Sequence, residues 1–300
     1  MLGIVKAKGA VLFDEHGKEY IDGISSWYTS VYGHCNDAII AKVYAQMQQL
    51  DQVVFSGFTH EPAIALSEAL ISLLPENQEK LFFSDNGSTA TEIGIKMALQ
   101  YHHNLGKKRS VLMAFEDGFH GDTFGAMSVS GLSVYNGPFE DYFIEVKRIP
   151  VPTDANLEGL LHELENTMDL DAVAGFIYEP LVQGAAAMKM HKAEHLEKIL
   201  KVIKSHGVLA IADEVMTGFG KTGRHFASDY MTEKPDIICM SKALTAGMLP
   251  MAVTSCTQNV YDAFYSDDIA KGLFHGHTYT ANPLACAAAL AGIELLKSEG

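Results

Sequence analysis

The sequence predicts an α/β fold: a mixed, mostly parallel sheet covered by helices on both faces. Two observations predict it. Six short runs are apolar throughout, at 81–83, 111–115, 173–178, 208–212, 237–240 and 251–255, and helical spacing or glycine-rich turns separate them. A strand with no polar alternation has no face turned to water, so its sheet must be covered twice. The composition suits a folded chain, with 300 residues, 48% hydrophobic and 20% charged side chains and a mean hydropathy of +0.06; disordered chains carry more charge and fewer aliphatic residues. At this length a single core stops growing. The chain is therefore expected to form one large domain plus a smaller piece, or two domains, the division falling between an N-terminal hairpin segment, 1–45, and a large domain, 46–300.

The elements follow in order. Residues 8–23 alternate apolar and polar side chains about Asp14-Glu15-His16-Gly17, the form of a short hairpin closed by a glycine-containing turn. Asp37 precedes Ile39, Ile40, Val43, Tyr44, Met47 and Leu50 at helical spacing, and Pro62 opens a second helix through Ile64, Leu66, Leu70 and Leu73, since proline fits the first helical turn. The run at 81–83 leads through Gly87-Ser88 into a helix reaching about Tyr101. The run at 111–115 precedes a glycine-rich turn, and a helix over 194–206 separates 173–178 from 208–212. The apolar stretch 284–290 predicts a last helix, a candidate for an interface between subunits. Ligands of such sheets collect beyond the C-terminal strand ends.

Charge and cysteine usage exclude several classes. Lys and Arg number 22 and Asp and Glu 37, a net charge of −15 that repels phosphate backbones and anionic lipid; nucleic acid is not an expected partner. The longest nearly apolar stretch, 284–296, contains Glu294 and falls short of the roughly 20 residues that span a bilayer, so no membrane is expected. Residues 1–10 lack the apolar run of an export signal. Cys35, Cys239, Cys256 and Cys286 form no CxxC, which reads as reduced thiols in a cytoplasmic protein. His191 and His195 sit four apart with no third ligand in view and are expected on an exposed helix, with no metal. His102-His103 read as favourable charge at a helix C-terminus.

The chemistry gathers at strand ends. Asp213-Glu214 closes the run at 208–212, and alone it reads equally as a helix cap or a buried ion pair. An ATPase strand end has the same form, but its phosphate loop requires G-x-x-x-x-G-K-[ST]; ahead of Gly220-Lys221-Thr222 the first glycine is replaced by Val215. Lys242 follows the next apolar run, where a half-buried ammonium must be paired or neutralised. An aldehyde cofactor neutralises it: pyridoxal phosphate forms a Schiff base with such a lysine while an acid such as Asp213 keeps its pyridine nitrogen protonated. Asp85-Asn86-Gly87-Ser88-Thr89 supplies small residues at a strand-to-helix turn, either a plain cap or an anion cradle.

The motifs carrying these residues are Ser25-Ser26-Trp27-Tyr28, Ser84-Asp85-Asn86-Gly87-Ser88, the stretch Gly118-Phe119-His120-Gly121-Asp122-Thr123-Phe124-Gly125, Glu179-Pro180-Leu181-Val182-Gln183-Gly184, Asp213-Glu214-Val215-Met216-Thr217-Gly218, Ser241-Lys242-Ala243-Leu244-Thr245 and His275-Gly276-His277-Thr278. Together they resemble the class III aminotransferases of fold-type I over nearly the whole chain. The resemblance implies pyridoxal phosphate as cofactor, with Lys242 as the Schiff-base lysine and proton carrier, Asp213 on the pyridine nitrogen, Gly87 and Ser88 on the phosphate, and Phe119 stacked on the ring. It also implies a homodimer with shared active sites, Thr278 reaching the phosphate of the neighbouring subunit. Trp27, Tyr28, Asp122, Lys221 and Gly276 are implied on the substrate side, facing a small-molecule amine donor and a keto acceptor.

Two positions narrow the class. Gly184 is followed by Ala185, where glutamate-using members place a glutamate, and Met216 stands where they tend to have glutamine. Both resemble the members of biotin synthesis, which pass an amino group from S-adenosylmethionine, or in some cases lysine, to 8-amino-7-oxononanoate and form 7,8-diaminononanoate. Three positions depart from those members: Phe119 for tyrosine, Tyr28 for tryptophan, and Lys221 for arginine, a point charge in place of a fork of donors. Other readings stay open, namely another ω-amino acid aminotransferase or aminomutase of the class, or a non-catalytic cofactor-binding fragment. The last arises because the family's C-terminal domain, with its carboxylate-binding arginine, is expected to be absent from this chain.

Overall fold

A computed structural model describes residues 1–298; the last two positions of the expected 46–300 unit lie outside the described residues. The N-terminus is a three-stranded antiparallel meander of β1 (Ile4–Lys8), β2 (Val11–Asp14) and β3 (Glu19–Ile21), one strand more than the expected hairpin. Asp14 closes the β2–β3 turn by accepting from the His16 and Lys18 amides at 2.9 Å each. Helices Asp37–Met47 and Glu61–Ile71 follow, and residue 45 falls inside the first of them.

The main sheet has seven strands, β4 (Lys80–Ser84), β5 (Val111–Phe115), β6 (Val146–Ile149), β7 (Val173–Tyr178), β10 (Leu209–Asp213), β11 (Ile237–Met240) and β12 (Ala252–Cys256). A two-stranded hairpin, β8 (Val182–Gln183) with β9 (Lys189–Met190), lies between β7 and β10 in the chain. The order across the sheet is β4-β12-β11-β10-β7-β5-β6. All neighbours are parallel except β12, which runs antiparallel to both β11 and β4. Each expected apolar run became a strand. β6 was not expected, because as an edge strand it keeps Lys147 and Arg148 among its four residues and buries only Ile149.

The two faces are covered by different helices. Leu209 and Ile211 of β10 join one core cluster with helix Gly87–Asn104, and Ala210 and Ala212 join the other with helix Ala193–Ser205, as the two-residue period of a strand requires. Helix Pro283–Ser298 buries its alanine-rich face against helices Asp37–Met47 and Glu61–Ile71. It is thus an interior helix and not the interface element expected.

The isolated histidines also differ from expectation. His102 is 1% exposed; Nε2 faces the Ala174 carbonyl at 3.1 Å, and burial, followed by the Arg109 charge, pushes its pKa down to about 4. It is neutral core, not a charge on a helix end. His191 and His195 are buried as well, Nε2 of each directed at the Glu179 carbonyl and at Asp154 Oδ1, both at 3.1 Å.

Candidate active site

Three chain segments converge at the C-terminal ends of β10, β11 and β4 on a cavity of about 760 Å³. β10 carries Asp213 to its wall, buried at 4% exposure. Oδ2 of Asp213 meets His120 Nδ1 at 2.7 Å and Oδ1 accepts from the Val215 amide at 3.1 Å. The neighbouring Glu214 turns away from the cavity: its buried carboxylate accepts from Thr217 Oγ1 at 2.5 Å and from the Ala227 and Ser228 amides at 3.1 and 2.7 Å. Of the two acids, one faces the site and the other ties down the loop at 217–228. That loop holds Gly220-Lys221-Thr222 in a turn with no helix behind it, so it offers no ATPase cradle.

Lys242 opens the turn Lys242–Thr245 after β11, with φ of 48°. A left-handed backbone at a non-glycine residue is unfavourable and is found where surrounding structure over-determines it. The side chain is half-buried on the cavity wall, and burial pushes its pKa down, against the pull of Asp213 and Glu179. The amine is biased toward its neutral, nucleophilic form.

Helix Gly87–Asn104 starts at the opposite wall. Asn86 Oδ1 accepts from the Thr89 amide at 3.0 Å, and the Asn86 amide bonds back to Thr89 Oγ1 at 3.1 Å, a reciprocal cap. That pairing leaves the Gly87 and Ser88 amides without partners among the described residues, at the positive end of an 18-residue helix. Unpaired amides at a helix start bind phosphate. Tight packing shapes the cradle: a Cβ at Gly87 would lie 2.9 Å from Val215 Cγ1, and one at Gly121 only 2.1 Å from Ser88 Oγ.

The wall over the cavity is held by a residue whose role the sequence reading missed. Glu179, buried just after β7, accepts from the Phe119 amide at 3.0 Å through Oε2 and from the Gly184 amide at 2.9 Å through Oε1; burial raises its pKa. It could have been found by the rule that singled out Asp213, an acid ending an apolar run. His120 was quoted in its motif without a role, and Tyr135, which lines the cavity while 87% exposed, carried no signal. Glu92 Oε1 accepts from Thr123 Oγ1 and from the Gly125 and Ala126 amides at 2.8 and 3.1 Å, fixing the segment that bears Asp122.

Among the expected site residues, Trp27, Tyr28, Gly87, Ser88, Phe119, Asp122, Asp213 and Lys242 line this one cavity. Lys221 stands just outside it, its stem exposed and Nζ 5.3 Å from the Tyr28 ring centroid; partial loss of solvent there, with the Lys242 charge, lowers its pKa. Gly276 and Thr278 lie apart, exposed on the loop before helix Pro283–Ser298. Thr278 does not cap that helix, since Asn282 Oδ1 takes the Leu284 and Ala285 amides at 3.0 and 3.1 Å.

An unpaired helix start, a strand-end acid and a half-buried lysine in one pocket suit an enzyme that works through a phosphorylated aldehyde cofactor. The chain belongs to the aminotransferase class-III family, whose model matches residues 1–300; it is a pyridoxal-phosphate-dependent transaminase of fold-type I. It is 46% identical over 98% of its length to the adenosylmethionine-8-amino-7-oxononanoate aminotransferase of Synechococcus elongatus, covering 72% of that protein. To the enzyme of the same name from Geobacter sulfurreducens it is 40% identical over 99% of its length, covering 69%. The crystal structure of adenosylmethionine-8-amino-7-oxononanoate aminotransferase from Methanocaldococcus jannaschii superposes with a TM-score of 0.95 at 35% identity, over 100% of this chain and 69% of that one. An amine transaminase from an uncultivated Pseudomonas species, in its pyridoxal-phosphate-bound form, gives 0.94 at 30% identity over 100% and 71%.

Proposed function

We propose that this chain moves an amino group from S-adenosylmethionine to 8-amino-7-oxononanoate, forming 7,8-diaminononanoate in biotin synthesis. One observation supports the substrate pair beyond the similarity of the relatives: Ala185 and Met216, the two positions that depart from glutamate-using members, both line the cavity. Met216 Sδ fills the space a Cβ at Gly184 would need, 2.4 Å away, so this wall is apolar where those members carry a glutamate and an amide.

The cofactor, when bound, supplies an aldehyde that takes up the amine and a ring that withdraws electrons. The chain supplies the rest. The Gly87 and Ser88 amides would hold the phosphate, Phe119 would cover the ring, and Asp213 would hold the proton on the pyridine nitrogen. Lys242 Nζ would hold the aldehyde and, as a free amine, would carry the proton to and from the substrate carbon, in opposite directions on donor and acceptor. Trp27, Tyr28, Asp122 and Lys221 would bound the substrate side, and Gly276, apart from the cavity of its own chain, would reach a partner's site together with Thr278.

The same reading makes the molecule a cytoplasmic homodimer in which Thr278 reaches its partner's phosphate cradle, with an N-terminal segment over 1–45 and a cofactor-binding unit over 46–300. Its support is that the loop exposing Phe274 and Tyr279 is tied, where Gln52 Nε2 donates to the Thr278 carbonyl at 2.6 Å, to the segment exposing Val54 and Phe58; exposed apolar side chains gathered on one surface mark interfaces. Among the described residues no helix is long and apolar enough to cross a membrane. The test is to incubate holoenzyme with 8-amino-7-oxononanoate and S-adenosylmethionine, lysine or glutamate in turn and to identify the product by mass. Diamine formed with S-adenosylmethionine and not with glutamate is the expected result, and transfer from glutamate or to ω-keto acids alone overturns it.

A further inference from the structure

Four consecutive residues other than glycine, Ser25, Ser26, Trp27 and Tyr28, have φ of 48°, 48°, 58° and 70°. L-residues avoid this left-handed region, and a run of four persists only where other contacts hold it. Those contacts converge on one carboxylate. Asp22 Oδ2 accepts from Ser26 Oγ and faces His34 Nε2, both at 2.8 Å, and the Asp22 carbonyl accepts from the Ser25 amide at 3.2 Å. The Ser26 backbone and the His34 ring hold the Asp22 carboxyl down at about 2. His34 is anchored in turn, its amide and carbonyl exchanging hydrogen bonds with Gly9 at 2.8 and 3.0 Å, between β1 and β2. On the far side the turn abuts the Lys242 segment: a Cβ at Gly247 would lie 2.8 Å from the Thr29 carbonyl carbon. Held this way, the Tyr28 ring centroid sits 5.3 Å from both Lys242 Nζ and Lys221 Nζ, and Trp27 stands exposed on the cavity wall.

We propose that Asp22 and His34 are positioning residues for the amine donor, a latch that keeps the 25–28 turn left-handed and so seats Tyr28 and Trp27 on the substrate side of the cavity. Neither residue lines the cavity, so both act through the turn. Reversing the sign of φ redirects each Cα–Cβ bond, and a relaxed turn carries both rings away from Lys242. The proposal rests on the amino-transfer reading and adds to it the device that shapes the donor side.

Trp27 is the only tryptophan in the sequence, so fluorescence excited in the tryptophan band reports this turn alone. The experiment compares holoenzyme of the parent with Asp22→Asn, His34→Leu and His34→Asn, the last restoring a shorter donor. In the first two, Trp27 emission and acrylamide quenching change before any substrate is added. Donor KM rises about tenfold or more, as misplaced binding groups produce, while kcat and cofactor absorbance stay within about twofold; His34→Asn lies between parent and His34→Leu. Parent-like fluorescence in both variants, or a change in either fluorescence or donor KM without the other, overturns the proposal. Should a variant lose cooperative unfolding, Ser26→Ala removes a single hydroxyl and is read by the same criteria. The fluorescence needs no substrate and KM is measured with whichever amine gives turnover, so failure of S-adenosylmethionine as donor overturns the proposed function and leaves the latch to its own test.

Discussion

The ring of His120 contacts Asp213 through one nitrogen only. Nδ1 lies 2.7 Å from Oδ2, while Nε2 is buried without a partner among the described residues. A carboxylate acceptor requires a proton on Nδ1, so His120 donates to Asp213. The ring thereby fixes the orientation of the acid at the cavity wall.

His120→Phe removes that donor at similar volume. Loss of one hydrogen bond to a buried charged group is worth about 1–3 kcal/mol, so kcat is expected to fall about 10- to 100-fold with cofactor still bound and its absorption band shifted. Single-turnover kinetics and the spectrum check it together; an unchanged rate argues that Asp213 needs no orienting partner.

Asp213→Asn takes the charge away instead of its support. The variant should retain cofactor yet lose about 10²–10³ in kcat, the scale seen when a transition-state charge loses its partner. In a parallel experiment borohydride should fix the cofactor on Lys242, read by peptide mass mapping, and a label on another lysine would end that assignment.

Gly121 has φ of 127°, and a Cβ there would come within 2.8 Å of Ser88 Cα. Backbone cannot yield as a flexible side-chain tip does. Gly121→Ala should lower stability by about 1–3 kcal/mol and should weaken cofactor binding at least as much as any change to Asp122, measured by equilibrium dialysis. Full cofactor affinity in this variant would show that the cradle does not depend on the 118–122 loop.

Thr278 tests the shared site. Thr278→Ala should weaken pyridoxal phosphate binding by about 1–3 kcal/mol, the loss of one donor to a charged acceptor, and added cofactor should shift the sedimentation profile toward dimer. A monomer that binds cofactor at full strength is the contrary result.

His102 predicts acid sensitivity. Its folded pKa is about 4 against an ordinary value of 6.5, so the unfolded chain takes up the proton first. Stability is full above pH 6.5 and declines as pH falls toward 4. From pH 7 to 5 the loss from this residue is about 2 kcal/mol. Urea unfolding at the two pH values should show a smaller difference in His102→Gln, which keeps a donor for the Ala174 carbonyl.

Much of the fold was legible because a buried strand must be largely apolar, and six of the seven strands in the main sheet are built on a short, mainly apolar run. The exception, β6, is an edge strand, where solvent on one side tolerates Lys147 and Arg148. Asp213 and Lys242 were legible for the complementary reason: charge directly after an apolar run is rare unless something uses it. Glu179 ends a run in the same way and was passed over. Glu214 shared the signal with Asp213, yet the chain rotates it onto the opposite side of the strand end, into the Ala227 and Ser228 amides.

By itself the sequence determined the apolar runs, the helices after Asp37 and Pro62, and the residue types suited to a phosphorylated cofactor, because each of these is a local preference read within a few residues. The tertiary structure alone decided that β12 runs against its neighbours, that His102, His191 and His195 are buried, that the helix Pro283–Ser298 is interior, and that Asp22, Ser26 and His34 meet around a left-handed turn. Those outcomes depend on strand pairing and burial between residues distant in sequence. Local preference carries no information about which distant partner removes a side chain from water.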